Sequence, residues 1–382
     1  MNISVLGATG SIGKQTLDVV RTVLPQARVC VLSGHRNITK LAEFANEFAP
    51  DIVSVPDEQA AEEISALLTN PCEILTGTEG LSRAAAFHKA DVVVNALVGC
   101  AGLEPTLSAI NAGKNVALAN KETLVTAGEL VMKLAREKGV RLTPIDSEHS
   151  AIWQCLQGNE SNEVEKIILT ASGGPFRTWT KERILTDATA EAALRHPNWS
   201  MGQKITVDCA SLMNKGLEVI ETMRLFDVPL EKIEILIHPQ SVIHSMVRFS
   251  DGSVMAQMGL PDMRLPILYA LTGPARVATP FARLDFLTCR DLTFEPVDYD
   301  KFPCLTLAKK AAETGGSLPA VLNYVNEWAV GRFLSGKMGF YDISDCIDEA
   351  FSAHEVTPIK SLSDVQKAEA WAADFVSRRA WA

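Results

Sequence analysis

The residues best equipped for chemistry in this chain are acids set beside cations. Asp146-Ser147-Glu148 places two carboxylates one residue apart, where a strand-like run ends and a helical one begins. Carboxylates that close repel unless a cation or a proton lies between them. With oxygen donors and no cysteine nearby, that cation would be Mg²⁺ or Mn²⁺ rather than Zn²⁺. Taken alone, Asp-x-Glu is more often a helix cap and a solvated acid, and His149 beside it reads as structural. A second group lies in Ser211-Leu212-Met213-Asn214-Lys215-Gly216-Leu217-Glu218. Helical spacing puts Asn214, Lys215 and Glu218 on one face, where an amide, an ammonium and a carboxylate can hold a phosphate beside a metal. The plain alternative is a Lys–Glu surface pair. A third group, Asn120-Lys121-Glu122, follows the strand-like run 115–119; it can face a cofactor, or start a helix with Asn120 as N-cap.

A different chemistry is signalled at the start of the chain. Gly7-Ala8-Thr9-Gly10-Ser11-Ile12-Gly13 stands between a strand pattern and a helix pattern. Glycines there let the backbone turn tightly and approach a pyrophosphate, whose charge the helix N-terminus stabilises. The spacing is Gly-x-x-Gly-x-x-Gly, a variant of the dinucleotide fingerprint, and a simple βα turn is the alternative. After the second strand, NAD sites usually carry an acid for the ribose 2′-hydroxyl. Here Ser33-Gly34-His35-Arg36-Asn37 has none, and Arg36 supplies a cation where a 2′-phosphate would lie, which favours NADPH.

These groups need a scaffold. Val/Ile-rich runs at 2–6, 28–33, 51–55, 91–98, 115–119 and 140–145 alternate with helical stretches such as 14–24 and 122–138. That alternation predicts an α/β fold with an N-terminal Rossmann-like doubly wound sheet over 1–146. Residues 147–271 read as a mixed α+β domain with strands at 166–170, 204–208 and 232–237. A hairpin follows, 242–249 and 253–258 around Asp251-Gly252. Within it, 173–203 is long and largely irregular, with a helix-like piece at 181–194, as expected of a lid. Residues 272–303 read as a linker, and 304–382 as a C-terminal α-helical bundle with helices near 305–314, 319–335, 343–353 and 363–380.

The 382 residues carry a formal charge of -10, which argues against a general nucleic-acid binder but leaves room for a local phosphate pocket. No run approaches the roughly 18–20 apolar residues of a membrane span. Met1 leads directly into the first strand pattern, so no signal peptide is expected. Eight cysteines without a CxxC pair read as reduced thiols of a cytoplasmic protein.

In order along the chain, seven motifs resemble those of the 1-deoxy-D-xylulose 5-phosphate reductoisomerase family. They are Gly-Ala-Thr-Gly-Ser-Ile-Gly at 7–13, Ala-Asn-Lys-Glu-Thr at 119–123, Pro-Ile-Asp-Ser-Glu-His-Ser at 144–150 and Ser-Gly-Gly-Pro-Phe at 172–176. His-Pro-Asn-Trp-Ser-Met-Gly at 196–202, Met-Asn-Lys-Gly-Leu-Glu at 213–218 and His-Pro-Gln-Ser at 238–241 complete the set. The resemblance implies a homodimeric enzyme that converts 1-deoxy-D-xylulose 5-phosphate and NADPH to 2-C-methyl-D-erythritol 4-phosphate, in non-mevalonate isoprenoid synthesis, with Mn²⁺, Mg²⁺ or Co²⁺. It implies metal ligation by Asp146, Glu148 and Glu218. Substrate contacts would come from Lys121, Ser147, Glu148, Ser172, His196, Asn214, Lys215 and Glu218, with Lys121 and Glu148 as the proton-handling pair. Cofactor contacts would come from Thr9, Gly10, Ser11, Ile12, Arg36, Asn37, Asn120, Glu122 and Gly202. In this picture 1–146 binds NADPH, 147–271 holds the metal and makes the dimer, and Trp199 is the apolar cover of the lid.

Two positions depart from the family pattern. His35 stands where many members have Gly, and Cys209 where a phosphate-binding Ser is common; a thiol is the weaker donor, and Ser211 is a candidate to compensate. Two rivals compete with this reading: a metal-independent NADP-dependent dehydrogenase, expected to turn over in chelator, and a non-catalytic NADP-sensing regulatory protein, expected to bind without turnover.

Overall fold

The computed structural model describes the whole chain except residues 160–162, 200, 290 and 379–382. Chain order begins β1 (Asn2–Leu6), α1 (Ser11–Val23), β2 (Arg28–Ser33), α2 (Ile38–Phe48), β3 (Ile52–Val55), α3 (Glu58–Leu67), β4 (Glu73–Thr76) and α4 (Gly77–Ala85). It continues with β5 (Val92–Asn95), a 3-10 turn Gly99–Gly102, α5 (Leu103–Asn111), β6 (Asn115–Leu118), α6 (Lys121–Lys138) and β7 (Leu142–Pro144). Then come α7 (Ser147–Leu156), β8 (Val164–Ala171), α8 (Lys181–Asp187), α9 (Ala190–Ala193), α10 (Gln203–Ala210) and α11 (Met213–Phe226). The rest is β9 (Ile233–Ile237), β10 (Ile243–Phe249), β11 (Val254–Met258), α12 (Arg264–Thr272), α13 (Pro303–Thr314), α14 (Leu318–Leu334), α15 (Asp342–Ala353) and α16 (Leu362–Ser377).

Two compact units result. The first comprises Met1–Thr123, Val131–Ser150 and Asp262–Ala282. Its sheet has the order β4-β3-β2-β1-β5-β6-β7, and every pairing is parallel. Because helices cover both faces of such a sheet, its strands are apolar on both sides, as in the fully buried Val92–Val94 run of β5 with Asn95 at its end. After β4 the chain returns to the other side of β1, so the strand order reverses between β1 and β5. That switch is where doubly wound sheets open a ligand crevice at their carboxyl ends. The helix α12 also joins this unit: Arg264 reaches Asp18 of α1 at 3.2 Å, and Ile267 and Leu268 enter the first core with Val5 and Leu17.

The second unit comprises Leu124–Leu130, Ala151–Pro261 and the chain from Arg283 on. Its sheet runs β11-β10-β8-β9; β10 is antiparallel to β8 and β11, while β8 and β9 are parallel. The expected hairpin at 242–258 is β10–β11. The four expected C-terminal helices are α13–α16; residues 379 and 380 of the anticipated 363–380 helix lie outside the described residues.

Two local expectations need correction, and one strand was not expected. Residues 204–208 form helix α10, not a strand. The β-branched Ile205, Thr206 and Val207 favour strand, but Gly202 stops the preceding chain and Thr206 Oγ1 closes back on the Gly202 carbonyl at 2.7 Å. Lys204 then pairs with Asp208 one turn on at 2.9 Å, and buried Asn326 of α14 donates to Asp208 at 2.9 Å. The helix-like piece at 181–194 divides into α8 and α9, each capped by a threonine: Thr180 accepts from the Arg183 amide and Thr189 from the Ala192 amide. Strand β4 had no clear signal in the sequence and pairs along β3 at the sheet edge.

Candidate active site

In the first unit the candidate residues line one edge of the parallel sheet. From β2 to β7 they follow the ends of β2, β1, β5, β6 and β7 in spatial order, a row spanning roughly 19 Å at the usual strand spacing.

After β1, Gly7 has φ +84, and a side chain there would meet the Ala96 carbonyl oxygen at 2.6 Å. Gly13 lies so close under this turn that a β-carbon would come within 2.3 Å of the Gly7 oxygen. Glycine is therefore compulsory at both places, for backbone approach rather than flexibility. The turn is tied to the end of β2: Ser33 Oγ accepts from the Gly7 amide at 2.9 Å, and the Ser33 carbonyl from the Ala8 amide at 2.8 Å. Gly10 begins α1 with no side-chain cap, and its own amide is taken by the Gly7 carbonyl at 3.0 Å, so the amides of Ser11, Ile12 and Gly13 stand at the helix N-terminus, a place suited to phosphate. By contrast, Asn37 caps α2, its Oδ1 accepting from the Lys40 amide at 2.9 Å. That role leaves Asn37 its side-chain amide nitrogen and its backbone N–H for any cofactor, since its carbonyl accepts from the Leu41 amide at 3.0 Å. Arg36 is exposed and makes no ion pair among the described residues, as a 2′-phosphate ligand requires.

After β5 and β6 the polar groups are buried. Asn120 is 1 % exposed. Its Nδ2 donates to the carbonyls of Leu97 (3.1 Å) and Gly99 (2.9 Å), and its Oδ1 accepts from the Thr123 amide at 3.1 Å, capping α6. Asn95, fully buried, works from the other side, donating to the Gly102 carbonyl at 2.9 Å and to Thr106 Oγ1 at 2.7 Å. The two asparagines thus fix the 97–102 loop beside the glycine turn. Asn120 was expected from sequence; Asn95 and Ser33 were not, although a polar residue closing an apolar strand was the available signal. Glu122 Oε2 accepts from Asn120 Nδ2 at 3.2 Å, which keeps it in the same network.

After β6 and β7, Lys121 and Asp146 meet at 2.5 Å, both largely buried. Asp146 begins α7: its carbonyl accepts from the Ser150 amide at 2.8 Å and its Oδ1 from the Ser147 amide at 3.0 Å. The cap role and the chemical role therefore coexist, with Oδ2 left toward Lys121. Ser147 Oγ donates to Glu148 Oε2 at 2.5 Å. His149 is fully buried, its Nδ1 3.9 Å from Asp146 Oδ2, in keeping with a supporting place.

In the second unit, Asn214, Lys215 and Glu218 stand on the first turns of α11. Their exposures of 8 %, 3 % and 0 % rule out the surface-pair alternative. Glu218 Oε1 accepts from Asn214 Nδ2 at 2.5 Å and Oε2 from the Lys215 ammonium. The desolvation of a buried carboxylate is offset by a cation and a donor placed on its oxygens in this way. Within their own units, Asp146 and Glu148 in the first and Glu218 in the second each offer carboxylate oxygen, the donor type that Mg²⁺ or Mn²⁺ takes.

The approach to α11 is equally constrained. Gly174, φ +69, packs so tightly on α10 that a β-carbon would meet the Cys209 carbonyl at 2.6 Å, which brings the Ser172 turn against the Cys209–Ala210 corner. Ser211, the candidate to compensate for Cys209, has its hydroxyl engaged within the chain. It is 2 % exposed, its Oγ donates to the Asp208 carbonyl at 3.2 Å and accepts from the Met213 amide at 3.3 Å. Burial pushes the neighbouring Cys304 thiol up to about 12, so it is no nucleophile. All eight cysteines are free.

The lid carries His196, whose Nε2 lies 3.0 Å from Ser172 Oγ. Its Nδ1 accepts from the amides of Asn198 (3.2 Å) and Trp199 (3.0 Å), so the Nε2–H tautomer faces Ser172. Trp199 lies 6.2 Å from the His244 ring, centroid to centroid. Gly202 caps α10 through its backbone; Ser200 of the same motif lies outside the described residues.

Comparison with known proteins gives one answer along the chain. Residues 3–128 match the family model of 1-deoxy-D-xylulose 5-phosphate reductoisomerase, 142–226 that of its C-terminal domain, and 258–375 a model described as DXP reductoisomerase C-terminal domain. A 1-deoxy-D-xylulose 5-phosphate reductoisomerase of Ruminiclostridium cellulolyticum is 52% identical over 371 residues, 97% of each chain. Among solved structures, the reductoisomerase of Zymomonas mobilis in complex with NADPH is 44% identical, with a TM-score of 0.91 over 99% of each chain. A DOX-P reductoisomerase in complex with NADPH, fosmidomycin and magnesium is 39% identical, with a TM-score of 0.91 over 99% of this chain and 98% of that one. The chain belongs to the 1-deoxy-D-xylulose 5-phosphate reductoisomerase family.

Proposed function

We propose that this protein converts 1-deoxy-D-xylulose 5-phosphate to 2-C-methyl-D-erythritol 4-phosphate, using NADPH and a divalent cation. The observation that carries the reading is the row along the first sheet: a free arginine, an open helix N-terminus, a buried asparagine clamp, then Lys121 on Asp146. A phosphorylated dinucleotide and a reacting centre are accommodated in that order. A metal-independent dehydrogenase would leave Glu148 and the buried Glu218 cluster without purpose, and family membership over the whole chain disfavours both that rival and a purely regulatory protein.

Asp146, Glu148 and Glu218 are the proposed ligands for Mn²⁺ or Mg²⁺, with Co²⁺ also suited to the donors. Bound there, the ion would supply Lewis-acid polarisation of a carbonyl and its neighbouring hydroxyl, and NADPH the hydride for the branched aldehyde. Lys121 and Glu148 are the proton-handling candidates. Lys121 holds its ammonium against Asp146, and the Ser147 hydroxyl steadies one oxygen of Glu148. Ser172, His196, Asn214 and Lys215 are the proposed phosphate anchors; their binding energy, spent far from the reacting carbons, serves positioning. Trp199 would close over the substrate and exclude water.

A homodimer fits the exposed edge strand β11, where Val254 and Met255 are each 47% exposed. No helix among the described residues is long and apolar enough to cross a membrane, and a cytoplasmic site of action agrees with eight free thiols. The test is NADPH oxidation with the phosphoketose, with and without Mg²⁺ or Mn²⁺. Turnover that needs both the phosphoketose and the metal is expected; chelator-resistant turnover, or none with this substrate, would overturn the proposal.

A further inference from the structure

The His-Pro-Gln-Ser motif at 238–241 has no part in the chemistry above, yet it is built with care. His238 is fully buried. Its Nδ1 lies 2.9 Å from the Thr293 carbonyl, and its Nε2 accepts from the Val242 amide at 3.3 Å. Phe294 stacks on its ring at 4.9 Å. The turn it braces ends in Ser241, a non-glycine residue at φ +50. Glycine would sit there without strain. Serine supplies what glycine lacks, a hydroxyl at a buried position, and that hydroxyl has one described partner: Asn198 of the lid. Asn198 Nδ2 donates to Ser241 Oγ at 2.9 Å and to the Pro239 carbonyl at 2.7 Å.

The two ends of the lid are held by different means. Its root is fastened by packing and charge. Phe176, fully buried, meets Phe340 edge-on at 5.0 Å. Arg177 pairs with Glu295 at 2.6 Å, and Lys301 donates to the Arg177 carbonyl at 2.8 Å. Its far portion, around 196–199, is held mainly by polar contacts, His196 on Ser172 and Asn198 on the turn, beside the looser Trp199–His244 ring contact. A few hydrogen bonds between part-exposed groups, each of modest net worth, make a contact that can open and reform.

We propose that Asn198 is a positioning residue, and that the 238–241 turn is the seat on which it closes the lid, placing His196 at Ser172 and Trp199 beside His244. Both hydrogens of the Asn198 amide are used, one on a carbonyl and one on a hydroxyl, so the seat defines a direction as well as a distance. The strained serine is retained for its acceptor. The seat itself rests only on contacts within the second unit; its consequence for substrate rests on the function proposed above.

Two variants separate these claims. Asn198→Ala removes the donor from a part-exposed loop residue. Ser241→Gly removes the acceptor while relieving the backbone strain, so loss of fold is not expected. Limited trypsin digestion of the full-length protein, without ligands, reads the seat directly through cleavage at Arg183 and Arg195. Ser241→Gly, which loses one hydrogen bond, should speed that cleavage about two- to tenfold; Asn198→Ala, which loses both, should speed it more, and the double variant should add little to Asn198→Ala. In steady state both should raise KM for the phosphoketose in the same order, with kcat and KM for NADPH nearly unchanged. Unchanged cleavage in Asn198→Ala, or fully additive effects in the double variant, would overturn the seat. Faster cleavage with unchanged phosphoketose KM would overturn its role in substrate retention. Absence of turnover in the parent protein would refute the function proposed above, while the digestion still decides the seat.

Discussion

The two units present polar chemistry in opposite ways. Along the first sheet the candidate edge is mostly main chain: an uncapped helix N-terminus, glycines that admit another backbone, and asparagines whose amides are spent on carbonyls. On α11 it is charged side chain, with Lys215 and Glu218 buried against each other inside a folded core. The first design needs little from the rest of the fold, since a sheet edge and a helix start already point amides outward. The second is stable only if every charge is matched, because the interior penalises whichever partner is left alone.

The sharpest way to break that contrast is Glu218→Gln. It should lower metal-dependent turnover roughly 10³-fold or more. It should also cost about 3–5 kcal/mol of unfolding free energy, because the Lys215 ammonium stays buried without its counter-charge. A variant with normal activity and unchanged denaturant midpoint would show that Glu218 serves neither end. Next in size is Arg36→Met on the exposed edge. Loss of a charge-assisted contact to the 2′-phosphate should weaken NADPH by about 1.5–3 kcal/mol, roughly 10- to 150-fold in Kd, without moving NADH or the melting temperature. Equal losses for both nucleotides in a titration would remove Arg36 from that role.

Gly13→Ala tests the main-chain character of the same edge. The added methyl group would press on the Gly7 carbonyl, and relief of that contact should cost about 1–3 kcal/mol in stability and raise KM for NADPH. The smallest effect concerns scaffold charge. Burial pushes the Asp262 carboxyl up, but the Arg264 guanidinium outweighs it and holds that carboxyl below the usual carboxylate range. A depressed folded-state value means the stabilisation is complete above about pH 4 and fades as pH falls through it. Asp262→Asn should therefore cost at most about 1 kcal/mol at pH 7, less at pH 3, by urea melts at both values. An equal deficit at the two pH values would mean that its charge is not what matters.

Local pattern reached far into the first unit. The strands β1, β2, β5, β6 and β7 and the glycine turn are each visible within a few residues, because parallel strands buried on both faces must be apolar throughout. It failed at 204–208. There β-branched residues favour a strand, yet a Lys204–Asp208 pair and the Asp208 contact with Asn326, 118 positions away, make a helix. Helix α12 carries no mark in its own residues of belonging with the first sheet; the partner that reveals it, Asp18, is 246 positions distant.

The sequence by itself determined the order of chemistry-bearing groups and their spacing along each element, since helical period, strand alternation and turn glycines are short-range properties. Only the tertiary structure decided which of those groups were buried, and therefore what they cost and whom they needed. Lys215 and Glu218 could have been a solvated surface pair, and Ser211 a free hydroxyl. Burial depends on surfaces brought from distant parts of the chain, and no local pattern records it.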